Sequence, residues 1–125
     1  MKKNKVLITG GAGYLGSTLT DLLLDKGYEV TVLDNLMYKQ TSLLHLCSNT
    51  NFKFIKGDVI DFELLKELVP EYDIIIPLAA IVGAPACDSN PVLAVKVNLE
   101  QIQTIVDALR EDQKLIMPNT NSQYG

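Results

Sequence analysis

Tryptophan is absent from this 125-residue sequence, and histidine and arginine each occur once, as His45 and Arg110. No apolar run approaches the length of a membrane span. The two cysteines, Cys47 and Cys87, have no Cys-x-x-Cys spacing, and a lone histidine beside one of them falls short of the ligand set a metal site requires. A surface or helix histidine and two reduced, partly buried thiols are expected instead, with no metal. Basic charge is also scarce: 11 Lys and Arg against 15 Asp and Glu give a formal net charge of −4 at pH 7. With a pI near 4.8, no basic surface is left to neutralise nucleic-acid phosphates or to hold an anionic membrane, so neither is an expected partner. The start, Met1-Lys2-Lys3-Asn4-Lys5, is basic like the head of a signal peptide. The apolar run behind it, however, lasts only from Val6 to Ile8 before Thr9-Gly10 breaks it. A cytoplasmic protein is expected.

What is present is enough apolar residue for one core, 47% of the chain. Val6-Leu7-Ile8 is short, unalternating and ended by glycine, as in a strand buried on both faces. Leu15, Leu19, Leu22 and Leu23 then recur at helical spacing up to Lys26-Gly27. Glu29 to Leu33 reads as a second strand ending at Asp34, which completes a βαβ unit. Phe52-Lys53-Phe54-Ile55 is a third strand ending at Gly57-Asp58, and between the two, residues from about Tyr38 to Cys47 form a further helix candidate. Asp61 suits the N-cap of a helix carrying Leu64, Leu65 and Leu68 and ended by Pro70. Asp73 to Ile76 is a fourth strand. A small-residue loop, Ala79 to Ala86, leads to a long helix started by Asn90-Pro91, with an apolar stripe of Val95, Leu99, Ile102, Ile105, Val106 and Leu109. Leu115-Ile116-Met117 is the fifth strand. Strict alternation of strands and helices implies an α/β, doubly wound parallel Rossmann-type sheet of order 3-2-1-4-5, truncated after strand five, with ligands beyond the carboxyl ends near the crossover from strand one to strand four.

The segment Thr9-Gly10-Gly11-Ala12-Gly13-Tyr14-Leu15-Gly16 places glycine where a strand must reverse into a helix, where backbone must approach a pyrophosphate, and where helix must pack on strand. The helix start offers unpaired amides to phosphates. Asp34, at the end of strand two, can accept both hydroxyl protons of an adenosine ribose and repel a 2′-phosphate, and no arginine lies nearby to offset it. These residues together point to NAD rather than NADP. Without a ligand the same residues would be a plain glycine turn and a solvated strand-end acid.

With Thr-Gly-Gly-Ala-Gly-Tyr-Leu-Gly at residues 9–16, Asp34-Asn35-Leu36, Gly57-Asp58-Val59-Ile60-Asp61 and Leu78-Ala79-Ala80, the sequence resembles the extended short-chain dehydrogenases of the NAD-dependent epimerase/dehydratase family, from Lys5 to Gly125. The resemblance implies cofactor contacts from Gly10, Gly13, Tyr14, Leu15, Gly16, Asp34 and Asn35. It gives Asp58 the adenine amino group, the Val59 backbone amide the adenine ring, and Leu78, Ala79 and Ala80 the surface over which NAD lies. Asn98 matches a helix asparagine near the cofactor, although Gln101-Ile102 stands where the family usually has Gly-Thr; a solvent-facing asparagine fits there too. Thr120, in Pro118 to Gly125, matches the hydroxyl that bonds the reacting sugar oxygen and is the implied catalytic residue. The implied substrate is a nucleotide sugar, and the loop from Ile81 to Cys87 and the run from Pro118 to Ser122 are most similar to enzymes that oxidise or epimerise GDP- or other NDP-linked heptoses and hexoses for bacterial surface polysaccharides.

That family's chemistry uses a tyrosine with a lysine four residues later. Four residues after Tyr14, Tyr28, Tyr38 and Tyr72 come Thr18, Val32, Ser42 and Ile76, and one residue follows Tyr124. Residues 1–125 are therefore expected to be the NAD-binding part alone, as a fragment or a natural truncation, lacking the catalytic helix and substrate domain and inactive by itself. The other expectation is a non-catalytic module that binds NAD or pairs with another subunit. A sheet ending at strand five leaves an open edge, so either marginal stability or self-association, as a homodimer, is expected.

Overall fold

The structure is a computed structural model that describes residues 4–10, 14–35, 43–46, 48–79 and 91–117. Along the chain come β1 (Lys5–Thr9), α1 (Tyr14–Asp25), β2 (Glu29–Asp34), β3 (Phe52–Lys56), α2 (Phe62–Leu68), β4 (Ile74–Pro77), α3 (Pro91–Val95), a π-helical turn (Lys96–Glu100), α4 (Gln101–Ala108) and β5 (Lys114–Leu115). The strands form one sheet in the order β3-β2-β1-β4-β5, and every pairing is parallel. The expected doubly wound architecture is the observed one.

Strand β1 is central, and Val6, Leu7 and Ile8 are all fully buried. Its apolar run does not alternate because both faces of the sheet are covered. Side chains alternate across the sheet with period two. Leu7, Leu33 and Ile75 join Leu65, Leu68, Val97 and Ile105 from the helices on one face. Val6, Ile8, Val30, Val32 and Ile76 join Leu24, Leu43 and Leu46 on the other, with Leu19 and Leu23 of α1 packed against them.

Helix α2 starts where Asp61 predicts: its carboxylate accepts a hydrogen bond from the Leu64 amide at 3.2 Å, a cap worth about 1 kcal/mol. Pro70 falls in the 3₁₀ turn Val69–Glu71 that ends the helix.

Four details differ from the sequence expectation. In α1, Leu15 and Leu22 are about half exposed; buried Gly16 and Thr20 let the helix approach the sheet closely and turn Leu19, Leu23 and Leu24 inward instead. Between β2 and β3, residues 43–46 hold only a short 3₁₀ turn at Leu44–Leu46, and the rest of the expected helix lies outside the described residues. Strand β5 is two residues long, and Ile116 and Met117 are exposed beyond it. Finally, the long helix presents only part of the expected stripe, with Ile105 buried and Leu109 packed against the core. Val95, Leu99 and Val106 are about half exposed, whereas Val97, Gln101 and Ile105 are buried. The π turn is the cause, because i→i+5 bonding inserts a residue into the helical repeat and rotates a different face onto the sheet.

Candidate functional site at the carboxyl edge of the sheet

The strand order reverses beside β1, since β2 and β3 lie on one side of it and β4 and β5 on the other. Open α/β sheets take ligands in the crevice outside the carboxyl ends of the strands at such a reversal, which here means the ends of β1 and β4. The chain leaves β1 through Gly10, whose amide donates to Leu33 O at 2.9 Å, while the Leu78 amide donates to Thr9 O at 2.8 Å. Gly10 has φ of +73°, a left-handed conformation that side chains with a β-carbon resist. A β-carbon built there would lie 2.6 Å from the Ala79 nitrogen and 2.8 Å from its α-carbon. Glycine at this position therefore allows the β1 and β4 exits to touch. Helix α1 begins four residues later, at Tyr14, with its first turn exposing Leu15 and burying Gly16.

The acids stand on the β2 and β3 side of the crevice. Asp34 closes β2 and is 9% exposed; its backbone carbonyl accepts from the Gly57 amide at 3.1 Å. This ties the two strand ends together. Across that tie the Asn35 amide nitrogen donates to Asp58 Oδ2 at 3.5 Å, and Asp58 Oδ1 accepts from the Ile60 amide at 3.2 Å. Asp58 is thus both a turn residue and a carboxylate facing the β2 exit. The Val59 side chain is buried in the core, which leaves its backbone as the part able to meet a ligand.

A group not singled out from sequence joins the crevice from the long helix. Gln101 is completely buried. Its Oε1 accepts from the Thr9 hydroxyl at 2.8 Å, and its Nε2 donates to Ala79 O at 2.9 Å and to Val97 O at 2.7 Å. Thr9 Oγ1 in turn accepts from the Ala79 amide at 3.3 Å. The sequence signal was a glutamine where a resembling family has glycine, but an apolar-stripe reading passes over a polar residue. Asn98 lies on the exposed side of the π turn. Leu78 and Ala79 are half-buried at the β4 exit. Gly13, Ala80 and Thr120 lie outside the described residues.

The opposite edge of the sheet has a groove of about 530 Å³ that includes Lys5, Glu29, Thr31, Lys53 and Tyr72 in its lining. None of the expected site residues is there. Burial pushes the Tyr72 hydroxyl pKa above its ordinary 10.0, the Thr31 hydrogen bond partly offsets this, and the Glu71 charge adds to it.

Strand order and parallel pairing define a doubly wound α/β protein. The chain belongs to the NAD dependent epimerase/dehydratase family, whose model matches residues 6–125. It is 34% identical over 124 residues to the UDP-N-acetyl-alpha-D-glucosaminuronate decarboxylase of Bacillus cytotoxicus, covering 98% of this chain and 38% of that protein. Among solved structures, the UDP-Glc/GlcNAc 4-epimerase of Campylobacter jejuni superposes with a TM-score of 0.85 at 30% identity, over 98% of this chain and 39% of that one. The UDP-glucose 4-epimerase of Thermus thermophilus, solved in complex with NAD, superposes with a TM-score of 0.74 at 31% identity, over 89% of this chain and 36% of that one. The chain thus spans well under half the length of these relatives.

Proposed function

We propose that residues 1–125 are the NAD-binding part of an enzyme that acts on a nucleotide sugar. The observation that carries this reading is the gathering of Gly10, Asp34 and Asp58 on one edge of the sheet, around the switch point. The residues fit the cofactor chemically. Asp34 offers a carboxylate to the adenosine ribose hydroxyls, with Asn35 beside it, and Asp58 offers one to the adenine amino group, next to the Val59 backbone amide. Gly10, its own amide held by Leu33 O, turns the chain out of β1, and Gly13 and the first turn of α1, Tyr14 to Gly16, offer backbone amides to the pyrophosphate. Leu78, Ala79 and Ala80 supply an apolar floor, Asn98 a polar group from the helix, and Thr120 a hydroxyl for the sugar. NAD, when bound, supplies a hydride acceptor for a sugar carbinol.

The relatives named above act on UDP-linked sugars according to their names, which supports a nucleotide sugar as the substrate class. Calorimetric titration of the chain with NAD and with NADP tests the cofactor assignment. Binding of NAD and markedly weaker binding of NADP is the expected result, and equal or reversed affinity removes Asp34 from its assigned role.

A further inference from the structure

Gln101 is a fully buried, polar side chain that no part of the proposed cofactor contacts uses. It stands on the helix that crosses from β4 to β5, yet its carboxamide reaches the exits of both β1 and β4. The π turn brings it there. The Gln101 amide hydrogen bonds to Lys96 O instead of Val97 O, so the Val97 carbonyl loses the partner an unbroken α-helix would give it. Gln101 Nε2 supplies that partner through the side chain at 2.7 Å. Its second proton goes to Ala79 O, and its oxygen takes the Thr9 hydroxyl proton. Both amide donors and the acceptor are therefore used, and the orientation of the carboxamide is fixed.

The Ala79 peptide is held from two directions. Its N–H donates to Thr9 Oγ1 and its carbonyl accepts from Gln101. This same peptide abuts Gly10, whose missing β-carbon makes room for it. We infer that Gln101 is a positioning residue of the NAD crevice: its side chain clamps the Thr9–Gly10 and Leu78–Ala79 backbones into the one spacing that receives the cofactor. The inference rests on the NAD reading above. No apolar residue of similar size can replace it, because two buried carbonyls and a hydroxyl would lose their partners at once. A glutamate keeps the shape, but only its neutral acid can donate to a carbonyl; the carboxylate would face Ala79 O and Val97 O with no proton between them.

The test compares the 125-residue chain with Gln101→Met and Gln101→Glu, each titrated with NAD and each melted with and without it. Gln101→Met, while folded, should bind NAD about tenfold more weakly or worse. Gln101→Glu should bind nearly as wild type at about pH 5.5, where the buried acid is protonated, and progressively more weakly toward about pH 8.5, a profile that wild type lacks. A role confined to stability would lower both melting points equally and leave the NAD-induced rise intact. If Gln101→Met does not fold, the Gln101→Glu pH profile decides alone. NAD affinity within twofold of wild type in the folded variants, with no new pH dependence, overturns the positioning role and leaves the NAD reading standing. Wild type that binds no NAD overturns both.

Discussion

Gly10 and Ala79 are in such close contact that a β-carbon on the first would lie 2.6 Å from the backbone nitrogen of the second. The contact joins the exits of β1 and β4 across the switch point. Replacement of Gly10 by alanine combines a backbone at φ +73° with a clash against backbone atoms that cannot swing away as a side chain would. The left-handed conformation alone costs about 1–2 kcal/mol. Gly10→Ala is expected to lower the melting temperature clearly and to weaken NAD binding in whatever fraction folds. A variant as stable as wild type, with unchanged affinity, would mean that the two backbones can separate freely.

Tyr72 gives the chain an alkaline signature at the edge away from the crevice. Its folded pKa lies above the unfolded value of 10.0, burial being the main cause. The native state thus favours the neutral phenol. Its contribution is fully present below about pH 10 and is lost as the pH rises through the folded pKa. Denaturant melts of wild type and Tyr72→Phe should show stability falling more steeply above about pH 10 in wild type. Parallel curves would show that the hydroxyl ionises as readily in the fold as outside it.

Much of this architecture is legible in the sequence for a physical reason. A strand buried on both faces must be apolar throughout, as Val6 to Ile8 is, and a capped helix must carry an acceptor at its start, as Asp61 does. Gly10 and Asp34 are legible because a left-handed turn and a strand-end acid leave few alternatives. The long helix is different. Its hydrophobic periodicity assumes an unbroken 3.6-residue repeat and finds Ile105, whereas the π turn at Lys96–Glu100 shifts the register so that Val97 and Gln101 face inward with it and Val95 and Leu99 do not. Nothing in residue type announces that turn. A buried glutamine also violates the apolar pattern that periodicity seeks, so the residue bracing the crevice is the one such a pattern passes over.

Incubated with NAD and a panel of UDP-, GDP- and dTDP-sugars, the 125 residues alone are expected to form no oxidised or epimerised sugar. Proton removal from a sugar hydroxyl needs a base, and an unassisted alcohol such as Thr120 is too weak near neutral pH; such assistance is commonly worth about a hundred- to ten-thousand-fold. Mass spectrometry of the sugars decides the matter. Product that copurifies with the protein and vanishes in Gly10→Ala would reveal a base among these residues.

Whether NAD occupies the carboxyl edge of the sheet can be read from the backbone amide resonances of the isotopically labelled chain during an NAD titration. The largest shifts should fall on Gly10, Asp34, Asn35, Asp58, Val59 and Ala79, at the strand exits. Shifts centred instead on Thr31, Lys53 and Tyr72 at the opposite edge, or no shifts at saturating NAD, would contradict that placement.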